Sequence, residues 1–122
     1  MGNARQIMAE LKARKPIDPQ GCLRRMWEAG PQLAQAKANR VYMEEYRKTL
    51  KALLMKQSGA KSSAEQERDA YSHQQYEAHL LGLQAAVEAE ERLRWAMVTD
   101  QAAIEVWRSQ EASGRAMDRG AA

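Results

Sequence analysis

The sequence predicts an all-α protein: a short N-terminal helix, a kinked middle helix and a long C-terminal helix, the last two folded as a helical hairpin that oligomerises. Three observations carry this. The chain has no Phe and 6% aromatics, and much of its 44% apolar fraction is Ala; Ala, Glu, Gln, Lys and Arg favour helix, while Ala contributes little burial. Apolar residues recur at steps of three and four over two long stretches, with no alternating run of the strand type. One cluster of turn residues, Ser58-Gly59-Ala60-Lys61-Ser62, separates those stretches.

The elements follow in order. Residues 1–16 read as a short basic helix capped by Asn3, with Ile7, Met8 and Leu11 on its apolar side and Pro16 ending it. Residues 17–112 read as the hairpin. Asp18 is a good N-cap and Pro19 suits the first helical position. Leu23, Met26 and Trp27 follow, and a break or sharp kink is expected at Gly30-Pro31, because proline lacks a donor and restricts the residue before it. From Gln32 to about Gln57, Ala36, Asn39, Met43, Tyr46, Leu50 and Leu53 keep the spacing of a coiled-coil seam in which Asn39 could set register. After the loop, Ser62 and Glu65 (or Ser63 and Gln66) form a capping-box signature.

One helix is expected from Ala64 to about Ala112, roughly 70 Å long against roughly 40 Å for the helix before it. Its apolar positions include Tyr76, Leu80, Leu83, Val87, Leu93, Met97, Ile104 and Trp107, and a second stripe (Trp95, Val98, Ala102, Val106) lies on another face. One partner helix cannot bury both, so Leu83, Val87, Leu93, Trp95, Met97, Ile104 and Trp107 are the expected oligomerisation residues. Residues 113–122 are expected to be a flexible tail.

Composition excludes several classes. Cys22 is alone, so no intrachain disulfide can form, which suits a reducing compartment. No apolar run approaches the roughly 20 residues that span a bilayer. The N-terminus lacks a signal peptide's apolar stretch, and Gln6 stands where a myristoylation site wants Ser or Thr. A cytoplasmic protein without membrane contact is expected. The seven glycines are scattered, so no phosphate-cradling loop exists. His73, Glu77 and His79 are the one metal-like cluster, but His79 points off the face the other two share. Glu88, Glu90 and Glu91 have no second acidic cluster in sequence to suggest a catalytic carboxylate pair and read as a solvated face. No enzyme and no cofactor is expected.

Charge is unevenly laid out. Residues 1–62 hold 13 Lys and Arg against 5 Asp and Glu, and residues 63–122 hold 6 against 11. Lys37, Arg40, Arg47, Lys48 and Lys51 lie broadly along one side of the middle helix, Lys56 and Lys61 continue toward the loop, and Tyr42 stands near the band with Tyr46 beside it. Cations spaced along a rod can neutralise successive phosphates, and aromatics can stack on unpaired bases. These eight residues (Tyr42 and the seven cations) are the candidate DNA-binding set. The same charges could instead pair with Glu44, Glu45 or the acidic last helix.

The order of features resembles the UvsY-type recombination mediators of T-even phages and their shorter relatives. The shared pattern over roughly residues 15–112 is Ile17-Asp18 after a short helix, a lysine-rich helix ending in Leu50-Lys51-Ala52 and Ser58-Gly59, then Ser63-Ala64-Glu65-Gln66-Glu67-Arg68, Tyr71, Ser72 and Tyr76-Glu77. Ile104-Glu105-Val106-Trp107-Arg108 with Glu111-Ala112 completes it. The resemblance implies a cytoplasmic homo-oligomeric ring that binds single-stranded DNA, helps displace single-strand-binding protein and loads a RecA-like recombinase, without ATP hydrolysis or metal. The family's Lys-x-Arg element is matched at Lys51, but Leu53 holds its arginine position, so Lys48 or Arg47 has to supply the second charge. Two other classes stay open beside it: a protein-binding module, such as a phage inhibitor or adaptor of a host protein, and a structural coiled-coil assembly factor.

Overall fold

The computed structural model describes residues 3–13 and 16–121; within the first helix the side chains of Met8, Leu11, Lys12 and Ala13 also lie outside the described set. The protein is all-α: α1 (Ala4–Ala13), α2 (Pro19–Gln57), α3 (Ser63–Ser72) and α4 (Gln74–Ala121). Asn3 caps α1 as expected, its side-chain oxygen accepting the Gln6 N–H at 2.8 Å. The expected apolar side of α1 rests partly on Met8 and Leu11, which lie outside the described side chains; Ile7 is exposed. Among the described residues α1 packs on no other helix. None of the described helices is long and apolar enough to cross a membrane.

α2 and α4 run antiparallel and form the hairpin. Its seam is a heptad on each side. On α2 the buried or half-buried positions are Cys22, Met26, Ala29, Leu33, Ala36, Arg40, Met43, Leu50 and Leu54. On α4 they are Tyr76, His79, Leu83, Ala86, Glu90, Leu93, Met97, Asp100, Ile104 and Trp107. Both sets step by three and four, the signature of knobs-into-holes packing. Arg25 with Asp100 and Met43 with Gly82 mark which residues lie level. At the second of these levels a Cβ on Gly82 would stand 2.9 Å from the Met43 methyl, so the glycine lets the helices close up. Beside it the His79 ring donates from Nε2 to the Met43 carbonyl at 2.7 Å.

Several expectations are corrected here. The seam of α2 lies one residue off the expected one in places: Asn39 and Leu53 are exposed, while Arg40 faces Glu90 of α4 and Leu54 is buried in the cluster with Ala70 and Tyr76. α2 is not broken at Gly30-Pro31 but is helical through it. Pro31 removes the donor for the Trp27 carbonyl, on a turn where both Trp27 and Pro31 are exposed. Ala29 and Leu33, half-buried on either side, hold the helix on α4. The single helix expected from residue 64 is two, interrupted at His73, whose backbone is extended (φ −70, ψ 140). Ser72 turns its hydroxyl back to the Arg68 carbonyl at 2.8 Å, competing with helix continuation, and His73 Nδ1 accepts the Gln75 N–H at 3.0 Å, opening α4. The residues expected as a tail are helical to Ala121. Of the expected oligomerisation residues, Leu83, Leu93, Met97, Ile104 and Trp107 are half-buried in the seam of their own chain, leaving Val87 and Trp95 exposed.

The break lets α3 fold across the end of α2. Ala70, 0% exposed, gives the close approach, and Leu50, Leu54, Ala70 and Tyr76 make the largest buried cluster, with Tyr46 and Met55 against it. The loop before α3 is pinned. Ser62 accepts the Glu65 N–H at 3.2 Å, as the capping signature requires; the Ser58 hydroxyl donates to Asp69 at 2.6 Å, and Gln66 donates to the Ala60 carbonyl at 3.1 Å. At the other end, α2 starts at Pro19, level with about Val106. The stretch 108–121 therefore overhangs with every residue exposed, roughly 20 Å of helix at about 1.5 Å per residue.

Candidate nucleic-acid interface

α2 carries the cations, and the fold divides them into three groups. Arg40 is drawn into the seam: its guanidinium donates to Glu90 of α4 and at 3.0 Å to Glu44 one turn on. Those hydrogen bonds, to Glu90 first, hold the guanidinium pKa above its ordinary value and the Glu90 carboxyl below its own. This charge is spent on holding the hairpin. Lys37 and Lys56 are exposed on α2, and Lys61 is exposed in the loop; none of these three has a carboxylate within ion-pair distance among the described residues.

The third group converges. Arg47, Lys48 and Lys51 line a groove of about 350 Å³ together with Tyr71 of α3 and Tyr76 of α4. Arg47 stands at a seam position level with about Ala78, near the start of α4, yet its side chain is exposed and has no ion-pair partner among the described residues. Lys48 is exposed, with Glu45 at 3.5 Å, a pair both of whose members are well solvated. Lys51 is half-buried: its ammonium donates to Glu67 at 2.8 Å and lies 4.7 Å over the Tyr71 ring. The hydrogen bond to Glu67, then that to Tyr71, raises the ammonium pKa, so Lys51 stays charged through the neutral range. Tyr71 and Tyr76 meet edge to face with centroids 5.2 Å apart, Tyr76 buried and Tyr71 about half exposed. Tyr42 lies elsewhere, stacked on Tyr46 at 5.9 Å, and Tyr46 in turn contacts His79.

The groove can therefore offer three cations and one open aromatic face. Two of the cations already have carboxylate neighbours, Glu45 and Glu67, so an incoming phosphate exchanges partners with them and does not meet bare charge. Tyr71 and Tyr76 were not among the cations and ring expected from the sequence. Their place in the groove depends on the break at His73, whose local signal, Ser72 before His73, is weak. The other expected residues do not gather: Lys37 lies well along α2 from the groove, and Lys56 and Lys61 lie beyond its far end.

Of the metal-like cluster, His73 opens α4 and His79 binds a backbone carbonyl, so both rings have structural work. The chain matches no protein-family model, no curated protein and no solved structure.

Proposed function

We propose that the protein binds single-stranded DNA at the closed end of the hairpin and acts as a homo-oligomeric recombination mediator. In this reading it helps a RecA-like recombinase replace single-strand-binding protein on the strand. The observation that supports DNA binding is the groove of Arg47, Lys48 and Lys51 beside the half-exposed Tyr71 ring. Cations at that spacing suit successive phosphates, and an exposed ring offers stacking to an unpaired base that a duplex does not have. The mediator role and the recombinase partner rest on the resemblance to UvsY-type proteins described above. Repetition of the groove in an oligomer converts weak single contacts into multivalent binding.

Three phosphate contacts per chain give a slope of about −2 in log K against log salt for a single strand. Replacing Arg47 and Lys48 together by Ala should weaken binding to a fluorescent single-stranded oligonucleotide and reduce that slope by roughly one to two. Both side chains are exposed, so helicity by circular dichroism stays unchanged. Tyr71→Ala should lower the preference for single strand over duplex. An affinity and slope unmoved by the double substitution overturn the groove as the binding site. No binding at low salt overturns the DNA reading as a whole.

A further inference from the structure

The hairpin buries one face of α4 and leaves the opposite one bare. With the seam of α4 as heptad positions a and d, positions f and c form a line on the back of the helix, turned away from α2. From Leu81 to Val106 every position on that line is exposed. It holds two charged residues, Glu88 and Arg92, one turn apart near its middle and opposite in sign. The rest is apolar or neutral: Leu81, Ala85, Trp95, Thr99, Ala102 and Val106. Leu81 and Trp95 are 61% and 64% exposed, and Val98 adds to the patch at its edge. A continuous line of this kind is more than scattered surface hydrophobics.

We infer that the back of α4 is covered by the back of α4 of a second copy, the two helices antiparallel about a two-fold axis that crosses them between Glu88 and Arg92. The inference deepens the homo-oligomer of the preceding reading, on which it rests, and does not depend on what the grooves bind. Area supports a copy. The chain exposes 9984 Å², whereas a compact monomer of 13.8 kDa exposes roughly 6,600 Å². The difference of about 3,400 Å² leaves room for the roughly 1,000–2,500 Å² per chain that obligate homodimers bury.

Charge selects both direction and register. A parallel pairing of the two backs sets Glu88 on Glu88 and Arg92 on Arg92, and like charges oppose it. An antiparallel pairing can set Glu88 level with Arg92 of the second copy, and symmetry then makes that contact twice. Within one chain the two side chains already hold each other at 2.7 Å, both well exposed, so the four together form a square of alternating charge. Glu91, at the edge of the line near the axis, is held by Arg94 of its own chain at 2.5 Å. The same register sets Trp95 level with Ala85 of the second copy, where a small side chain leaves room for the ring, and Leu81 level with Thr99. Sliding one helix by a heptad either way sets Arg92 against Trp95 or Leu81, and Glu88 against Thr99 or Ala85. Either slide covers charge without a partner across the interface. The favoured overlap spans residues 74–106 and leaves the overhang 108–121 beyond it. Arg47, Lys48 and Lys51 stand on α2, away from this interface, so the grooves stay open and point to opposite ends of the dimer.

The test is a charge-swap cycle followed by sedimentation equilibrium and light scattering on the full chain. Glu88→Arg or Arg92→Glu alone sets four like charges around the axis and should weaken association by about tenfold or more. Mixing the two variants should restore it as a heterodimer, because each still repels itself while attracting the other. Trp95→Asp should dissociate the assembly. All three positions are exposed, and unchanged helicity by circular dichroism confirms the fold. A wild-type chain that is monomeric at tens of micromolar overturns both this inference and the homo-oligomer reading. An oligomer indifferent to every substitution overturns the back of α4 as the interface while the homo-oligomer stands. Sensitivity to Trp95→Asp without a gain on mixing the charge variants overturns the two-fold register.

Discussion

Arg40 occupies a seam position where an aliphatic residue packs best, and its placement is a statement about register. Its guanidinium bridges Glu44 on its own helix and Glu90 on the facing one. A slip of α4 by one heptad puts Leu83 or Met97 in place of Glu90, leaving a half-buried guanidinium without its cross-helix partner. One-sided loss of such a pair costs more than the pair contributes. The arginine thus specifies one alignment among several that the aliphatic positions alone tolerate. Leu54 shows the opposite economy. It is 3% exposed at the junction of α2, α3 and α4, and Leu54→Ala should destabilise the fold by about 2–4 kcal/mol, measured as a shift in urea midpoint. A loss under about 1 kcal/mol would mean that the junction is not the core.

Among the described residues three cross-helix ion pairs tie the elements. Arg25–Asp100 and Arg40–Glu90 join α2 to α4, and Lys51–Glu67 joins α2 to α3. Hydrogen bonds from these cations hold the carboxyls of Glu67, Glu90 and Asp100 below their ordinary values of 4.5, 4.5 and 3.8. A depressed native carboxyl stabilises the fold above its unfolded value, and that contribution is lost as pH falls through the native one. The urea midpoint should hold from neutrality to about pH 5 and fall steeply toward about pH 3. A flat midpoint over that window would show the pairs to be solvated and worthless. Element by element, the legible part of the fold was what short-range chemistry decides: the Asn3 cap, the Ser62 cap, the turn at residues 58–62 and the 3–4 spacing. What stayed hidden needed partners far along the chain. Arg40 reads as surface until Glu90, fifty residues on, is brought opposite it. Pro31 reads as a break until Ala29 and Leu33 are seen held by α4. The same holds for the candidate site. Arg47, Lys48 and Lys51 stand out as a basic stretch, but Tyr71 joins them only because the chain turns at His73 and swings α3 across α2.

At the scale of the whole molecule, most of the surviving surface chemistry sits at the two extremes. The closed end presents Arg47, Lys48 and Lys51 around Tyr71, and a three-layered junction stiffens it. The open end presents a single helix that has outrun its partner. Between them lies a two-helix ribbon only one seam thick, with no large side chain fully buried among the described residues. A ribbon of that kind draws stability from what it leans on, which is why association and folding are expected to be linked in this chain.

The overhang 108–121 gives that linkage a local readout in isotope exchange. A polar segment of this length with no tertiary support sits at the margin of helix stability in water. Its amide protons should exchange with deuterium almost as fast as in an unstructured peptide, whereas those of residues 79–104, opposite α2, exchange only through larger openings. Mass spectrometry should therefore find a step in protection near Trp107, and uniform protection to Ala121 would contradict it. The step makes the last four turns of α4 a sensor already wired into the chain: any molecule that seats there slows their exchange clock, while one that engages the far end leaves it running.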